Sequence, residues 1–421
     1  MITLVEARGF RCLQLVRQPL GPLAVLAGPS GSGKSALLDV IAFLGALVQR
    51  GPEAAACERA DGFGDLTWRR EGAPVELAIE VTIPDAVRAR LASATFETLR
   101  YEVGLALDEA TGKVALTEER VVLKANDVAA AKQLEMFPRQ AAAASTSILS
   151  SKGHGAGART IIHKVPGGND NFYSETYQDA GKGWVVAYKL GRRRSALGSL
   201  PEDESKFPAS LWFKRFLAEG IRAVALDDRR LRAASPPGPP QRLQPDGANL
   251  PWVIAELERR DPARLARWVA HLGSAVPELE AVRTVEREHD RHRYVLLCYR
   301  DGLEVPSWTA SEGTLRLLAL TLPAFTPGLD GVLVVEEPER GACPRVAAAI
   351  FHALSAVEGA QVLLATCSPV ILGLAGLDRV LCFSKAEGGA TEIVPGADHP
   401  ALRTFQEEAS PGALFANGVL G

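Results

Sequence analysis

Residues 28–35 read Gly28-Pro29-Ser30-Gly31-Ser32-Gly33-Lys34-Ser35, which has the spacing G-x-x-x-x-G-K-S. The short apolar run Leu23–Ala27 precedes this loop, and the helix-like run Ala36–Val48 follows it. A glycine loop between a strand and a helix is the setting in which this spacing binds a nucleotide. Glycines let backbone N–H groups point at phosphates, and the helix N-terminus adds a partial positive charge. The stretch, called the P-loop below, therefore predicts a nucleoside-triphosphate site.

The side chains at the end of the P-loop have separate predicted roles. Lys34 would reach the β- and γ-phosphates, and the Ser35 hydroxyl would be a ligand of Mg²⁺. The backbone of residues 28–33 would surround the phosphate chain. The expected ligands are therefore ATP and Mg²⁺. The alternative is a Gly/Ser-rich turn that matches by chance, which the flanking strand and helix disfavour.

The composition is that of a globular protein. The chain has 421 residues, 47% of them hydrophobic, and a formal net charge of −3. This length is enough for about two or three packing units. The small net charge provides no general attraction to nucleic acid, so any such contact must depend on a local basic patch.

Targeting signals and cysteine pairs are both missing from the sequence. Because there is neither an apolar run of 18 residues nor a signal pattern near Met1, we expect a cytoplasmic protein without membrane contact. The six cysteines include no C-x-x-C pair. This spacing argues against a zinc site and against a disulfide framework.

A second apolar strand ends in acidic residues. The run Val332–Glu339 reads V-L-V-V-E-E-P-E. In P-loop NTPases such a strand end carries the acid that holds Mg²⁺, and a second acid can orient the attacking water. We assign the first role to Glu336 and the second, catalytic role to Glu337. The alternative is that both glutamates lie on an exposed loop.

The pattern of short apolar runs predicts the fold class. From Tyr294 onward, such runs alternate with helices, which indicates a buried and largely parallel sheet. Runs at Val75–Ile83, Tyr101–Leu107 and Lys113–Leu123 alternate between apolar and polar residues and are typical of antiparallel strands. The expected architecture is therefore α/β, with an antiparallel side sheet.

The stretch Ser311-Glu-Gly-Thr-Leu-Arg-Leu-Leu-Ala-Leu320 resembles the Ser-x-Gly signature helix of ABC-type ATPases in the RecF/SMC/OLD-like branch. The motif order also fits, because the strand ending in Glu336 and Glu337 comes next. Thr366-Cys-Ser-Pro369, called the switch segment below, follows a further strand. The chain is thus similar to the compact bacterial members that lack a coiled coil.

The resemblance implies a P-loop NTPase fold of the ABC-ATPase head type, with a mostly parallel core sheet, an antiparallel side sheet and an inserted helical region. Residues 1–125 and 285–421 would form one head, and residues 126–284 would form the inserted, partly helical region with flexible loops. It also implies a head-to-head dimer or higher oligomer, in which Ser311 and Gly313 of one subunit contact the ATP held by the other.

Two positions depart from the family pattern. The family has Asp-Glu where this chain has Glu336 and Glu337, and it has a switch histidine where this chain has Cys367. A thiol is a poor hydrogen-bond donor beside an imidazole. We therefore place Cys367 at the catalytic switch position and expect ATP binding with slow hydrolysis.

The resemblance favours a dimeric, nucleotide-driven switch in anti-phage defence or DNA metabolism that controls a separately encoded effector protein. Two alternatives stay open. One is an ATP-binding assembly scaffold with negligible hydrolysis. The other is a RecF-like DNA-binding clamp, for which Arg192-Arg193-Arg194 is the densest basic cluster. The acids after the ATPase motifs are dispersed, so no built-in nuclease is expected.

Overall fold

The computed structural model describes residues 1–125, 147–149, 157–165, 167–177, 184–238, 242–404 and 411–416. The flexible loops predicted within 126–284 fall mainly on residues 126–146 and 150–156, which lie outside the described residues. The strands of the described chain are β1 Ile2–Phe10, β2 Leu13–Pro19, β3 Leu23–Ala27, β4 Val75–Thr82, β5 Phe96–Asp108, β6 Lys113–Ala125, β7 Ala158–Lys164, β8 Asp170–Tyr173, β9 Trp184–Tyr188, β10 Ile221–Val224, β11 Leu279–Glu286, β12 Arg293–Tyr299, β13 Glu304–Pro306, β14 Gly331–Glu336, β15 Ala360–Thr366, β16 Val380–Lys385 and β17 Thr391–Pro395.

The helices of the same part of the chain are mostly short. They are α1 Lys34–Arg50, α2 Pro52–Cys57, α3 Asp85–Arg88, α4 Pro208–Glu219, α5 Asp228–Arg232, α6 Leu250–Arg260, α7 Pro262–Gly273, α8 Glu312–Phe325, α9 Pro344–Ser355, α10 Pro369–Leu374, α11 Pro400–Thr404 and α12 Pro411–Ala416.

The chain forms two compact units, each assembled from separated segments. The first contains Met1–Leu20, Ser35–Ile221 and Lys385–Glu392. The second contains Gly21–Lys34, Arg222–Ser384 and Ile393–Gly421. The second unit thus combines a short segment near the N-terminus with the C-terminal part of the sequence, and it is described after the first.

The first unit is built on an eight-stranded sheet with the order β2-β1-β4-β5-β6-β7-β8-β9. Neighbouring strands pair antiparallel throughout this sheet. Strands β7 to β9 come from the region predicted as an insertion, and they extend the sheet beyond β6. The ring of Tyr101 in β5 packs edge-on against Phe213 of α4, with 5.7 Å between ring centroids. Helix α4 therefore belongs to the core of this unit.

A buried carboxyl group lies at the start of α4. Glu175 is fully buried, and its carboxylate accepts hydrogen bonds from the backbone N of Ala209 and from the backbone N and hydroxyl of Ser210. The free N–H groups at a helix N-terminus are satisfied by such an acceptor. Burial nevertheless disfavours the charged form and raises the pKa of Glu175 to about 7.

The raised pKa of Glu175 predicts a pH-dependent stability. Between the ordinary pKa of 4.5 and about 7, the folded chain holds a proton that the unfolded chain releases. The contribution of Glu175 to stability is therefore present at low pH and is lost as the pH rises to about 7. Glu175→Gln should remove this dependence, because an amide does not titrate between pH 5 and pH 8. The free energy of unfolding of both proteins is measured in urea at pH 5 and at pH 8. If the difference in this free energy between the two proteins is the same at both pH values, the prediction is wrong.

The second unit contains a six-stranded sheet with the order β10-β14-β15-β3-β16-β17. Its central strands β14, β15, β3 and β16 pair in parallel. These strands are nearly continuous apolar runs, such as Leu-Ala-Val-Leu-Ala in β3. Such runs are typical of strands that are covered on both faces. The predicted parallel core sheet is thus confirmed.

Helix α8 packs into the hydrophobic core of the second unit. Its side chains from Leu315 to Leu322 are almost all fully buried. Ser311 is the N-cap, and its side chain accepts a hydrogen bond from the backbone N of Thr314 at 3.1 Å. A serine before an apolar run is a strong helix start signal, so the predicted beginning of this helix near Ser311 is confirmed. The second unit also holds a separate three-stranded sheet, β11-β12-β13, whose strands pair antiparallel. The strand at Tyr294 therefore lies outside the parallel sheet, whereas the sequence predicted that this sheet begins there.

Candidate functional site

The carboxyl ends of the core strands meet at one edge of the parallel sheet. Ala27, the last residue of β3, is paired with Thr366 at the end of β15 and with Cys382 in β16. Ala365 of β15 is paired with Glu336, the last residue of β14. Parallel α/β sheets bind their ligands at this edge. The fold therefore brings together the P-loop, the acids after β14 and the switch segment.

The P-loop backbone requires glycine at several positions. Gly31 and Gly33 have positive φ angles of 79° and 108°, which side chains rarely adopt. Gly28 is limited by space, because a Cβ there would collide with the backbone carbonyl of Phe383 in β16. The glycines predicted from the motif are thus explained by backbone geometry.

The Lys34 ammonium group is bound to the P-loop itself. Its Nζ donates hydrogen bonds to the backbone oxygens of Gly28 at 2.6 Å and Pro29 at 2.9 Å. It also lies 3.5 Å from Cys367 Sγ, and that thiol is 3.3 Å from the Gly28 oxygen. The side chain is only 8% exposed. A phosphate group would replace the carbonyl oxygens as the acceptor of these hydrogen bonds.

The residues predicted to hold Mg²⁺ supply oxygen donors of the right kind. Ser35 is the second residue of α1, and Glu336 is the exposed end of β14. Hydroxyl and carboxylate oxygens are the ligands that this hard cation prefers, and it commonly completes its shell with waters and phosphates. This donor set fits the ion, and the assignment of both residues stays a prediction.

Glu337 has an unusual backbone conformation for its residue type. Its φ is 47°, in the left-handed region, and its side chain is exposed. Its backbone N donates to the backbone oxygen of Ala365 at 2.9 Å. The backbone oxygen of Glu337 lies 3.4 Å from the buried guanidinium of Arg316 in α8. Such strain costs on the order of 1 kcal/mol and is concentrated at functional sites. Sequence reasoning missed Arg316, although an arginine inside an apolar helix was a visible signal.

The two signature residues have structural roles within one chain. Ser311 is exposed and caps α8, as described above. Gly313 faces the loop after β14, and a Cβ at this position would lie 2.8 Å from the Gly341 oxygen. Glycine at 313 is therefore required by contacts inside the chain. The N-terminus of α8 can also attract an anion, because its first N–H groups point outward.

Glu339 is a residue of this edge that sequence reasoning missed. Its Oε1 accepts hydrogen bonds from the Thr366 hydroxyl and from the backbone N of Cys367, both at 2.8 Å. The available signal was a third glutamate in the run that ends β14. The carboxylate links the loop after β14 to the switch segment.

The remaining sequence predictions concern the arginine cluster, the cysteines, metal-binding groups and membrane-spanning helices. The cluster Arg192–Arg194 belongs to the first unit, where Arg193 and Arg194 are exposed. All six cysteines are free, and in the described parts of the chain no group of three or more His, Cys, Asp or Glu could hold a metal. None of the helices described here is long and apolar enough to cross a membrane.

Comparison with protein families gives a match over residues 173–373. The matching model is described as "AAA domain, putative AbiEii toxin, Type IV TA system". The matched region includes Ser311, Glu337 and Cys367, whereas the P-loop lies before it. No curated protein matches the sequence. The family similarity thus covers the second part of the site.

Comparison with solved structures gives matches over nearly the whole chain. One is the crystal structure of an SMC head bound to the C-winged helix domain of ScpA, with a TM-score of 0.53, 14% identity and coverage of 93% of this chain and 96% of that chain. Another is the SMC head with an extended coiled coil bound to the C-terminal domain of ScpA, derived from Pyrococcus furiosus, with a TM-score of 0.51, 12% identity and coverage of 96% and 98%. At these identities the similarity concerns the fold.

Proposed function

We propose that this chain is a compact ABC-type ATPase of the SMC and RecF kind and that it works as a nucleotide-driven switch. In the ATP-bound state it pairs with a second copy of itself, and slow hydrolysis releases the pair. The observation that carries this proposal is the convergence of the P-loop, the Glu336–Glu337 strand end and the switch segment at one edge of the parallel sheet.

The proposed roles follow from the chemistry of each group. Lys34 binds the β- and γ-phosphates, because it is the cation fixed within the P-loop. Ser35 and Glu336 hold Mg²⁺, which neutralises phosphate charge and orients the triphosphate when bound. Glu337 accepts a proton from the attacking water, for which its exposed carboxylate is available.

The proposed dimer would use the signature residues in trans. Ser311 lies exposed at the N-terminus of the 14-residue helix α8, where outward-pointing N–H groups favour a phosphate. Ser311 and Gly313 of one copy would contact the γ-phosphate held by the other copy. ATP would then complete the interface and set the lifetime of the pair.

A separately encoded effector is the second part of the proposal. The SMC heads with a similar fold are bound to domains of ScpA, and the matched family model is described as a putative toxin of a toxin–antitoxin system. By analogy, we infer a protein partner that responds to the ATP state of this chain in anti-phage defence or DNA metabolism.

A scaffold with negligible hydrolysis is favoured by one specific observation. Cys367 occupies the switch position, and its thiol contacts the Gly28 oxygen and Lys34. A thiol offers little hydrogen bonding to a developing phosphate charge. ATP-dependent dimerisation without measurable phosphate release by the unmodified protein would select this alternative.

The variant Glu337→Gln tests the switch. It should retain ATP binding and hydrolyse ATP roughly 10²–10⁴ times more slowly, because an amide cannot accept the proton of the attacking water. The unreleased ATP should make a species of twice the mass accumulate, measured by light scattering with ATP and Mg²⁺. Glu358→Gln, which changes an exposed glutamate in the turn after α9, is the matched control. Unchanged turnover would reassign the base, and an unchanged mass would rule out the ATP-held dimer.

A further inference from the structure

The carboxylate of Glu339 connects two loops at the edge of the parallel sheet. Its Oε1 accepts from the Thr366 hydroxyl and from the backbone N of Cys367, each at 2.8 Å. The backbone N of Ser368 donates in turn to the hydroxyl oxygen of Thr366 at 2.9 Å. One carboxylate oxygen therefore determines where the first three residues of the switch segment lie.

The second oxygen of this carboxylate adds no contact of its own. Glu339 Oε2 is buried from water and makes no hydrogen bond to the described residues. An acceptor with two donors on one oxygen and none on the other acts through that single oxygen. Both hydrogen bonds from the switch segment to the Glu339 carboxylate thus use Oε1, which a glutamine at this position could retain as a carbonyl oxygen.

The switch segment held by Glu339 reaches the P-loop through Cys367. The thiol lies 3.3 Å from the Gly28 oxygen and 3.5 Å from Lys34 Nζ. The same Gly28 oxygen accepts the shortest hydrogen bond of Lys34. A displacement of the switch segment would therefore change the surroundings of the phosphate-binding lysine.

The loop that carries Glu339 also contacts the signature helix. The Ala342 backbone N donates to the backbone oxygen of Glu339 at 2.9 Å, which forms a tight turn around Gly341. Gly341 has a φ of 68°, which side chains rarely adopt, and its backbone oxygen would lie 2.8 Å from a Cβ at Gly313 near the beginning of α8. The turn is thus fixed on the side of α8 and on the side of the switch segment.

We propose that Glu339 is a positioning residue that holds the switch segment against the P-loop and connects it to the signature helix. This inference rests on the proposed ATPase function for its kinetic consequence, but not for its structural one. Glu339 acts through Cys367 and Lys34 and does not itself touch the nucleotide.

The first test measures how fast Cys367 of the switch segment is alkylated in the absence of ATP. Cys367 is the single cysteine between Arg345 and Arg379, so trypsin digestion isolates it in one peptide whose alkylation by iodoacetamide can be followed by mass spectrometry. Glu339→Ala removes an acceptor of two hydrogen bonds and should speed alkylation of Cys367 by roughly five- to hundredfold. Glu339→Gln retains a carbonyl acceptor and should react within about threefold of the unmodified protein. Cys57, exposed in α2, gives the reference rate.

The second test separates positioning from a general loss of stability. In steady-state ATPase assays, Glu339→Ala should lower kcat more than it changes KM, and Glu339→Gln should restore kcat. Thr366→Val removes one of the two donors and should give an intermediate alkylation rate, which keeps the test available if Glu339→Ala does not fold. Equal alkylation of Cys367 in Glu339→Ala and the unmodified protein would overturn the proposal, as would a Gln variant as impaired as the Ala variant. If the alkylation results hold and no variant hydrolyses ATP, the proposed ATPase function fails and the positioning role stands.

Discussion

Lys34→Ala should lose most of the affinity of this protein for ATP·Mg²⁺. The ammonium group is the cation fixed inside the P-loop, and it is nearly buried between the oxygens of Gly28 and Pro29. Removing one partner of a buried charge pair costs roughly 2–5 kcal/mol, which is about a 30-fold to several thousandfold weaker Kd. Alanine leaves both carbonyls in place, and neither can replace the cation.

Isothermal titration calorimetry of ATP·Mg²⁺ measures this loss directly. Lys189→Ala is the matched control, because it removes the same charge from an exposed side chain of the first unit. The control should bind as the unmodified protein does. Equal affinities of Lys34→Ala and the unmodified protein would show that the phosphates bind elsewhere.

Cys367→His should raise the rate of ATP hydrolysis. Cys367 follows β15, whose end is paired with the last residue of β3, directly before the P-loop. From this position an imidazole can donate to the γ-phosphate and to the attacking water, whereas the thiol donates weakly. If the missing donor limits the chemistry, kcat should rise by roughly tenfold to thousandfold, up to the effect of one well-placed donor. The affinity for ATP should change far less, because the P-loop is untouched.

Phosphate release under saturating ATP measures the gain, and circular dichroism verifies the fold. Cys57→His is the control, because it adds a histidine at an exposed cysteine that is distant in sequence from Cys367. An unchanged or lower kcat in folded Cys367→His would mean that Glu336 limits turnover, or that the protein acts as an ATP-binding scaffold.

The sequence was most informative where a local pattern determines the structure. β3 and β14 are continuous apolar runs, and α8 begins directly after a capping serine, so both strands and the start of the helix were predicted close to where they are observed. Strands β7 to β9 were not predicted. β8 has only four residues, and β7 pairs with β6 across a long connection that carries no local signal.

The residues of the candidate site likewise fall into two groups, those that belong to local motifs and those that are identified only by long-range contacts. The P-loop, Glu336, Glu337 and Cys367 were recognisable because each belongs to a short motif whose order is fixed along the chain. The sequence shows a third glutamate at position 339 but not its role, because its hydrogen bonds reach residues 27 and 28 positions away. The role of Arg316 likewise could not be predicted, because it depends on a contact with the backbone oxygen of Glu337. Such contacts depend on the packing of elements, which a motif does not describe.

The contact between Gly313 and Gly341 affects how signature variants of this protein should be interpreted. For the proposed dimer, substitution of the signature glycine is an obvious genetic test of whether the nucleotide is shared between two copies. Here any side chain at position 313 would push against the Gly341 oxygen and therefore against the turn that carries Glu339. The inactivity of a Gly313 variant could thus result from disruption within one chain and would not by itself show a failure of dimerisation. Ser311, whose side chain is exposed and whose capping role threonine can preserve, is the cleaner position for that genetic test.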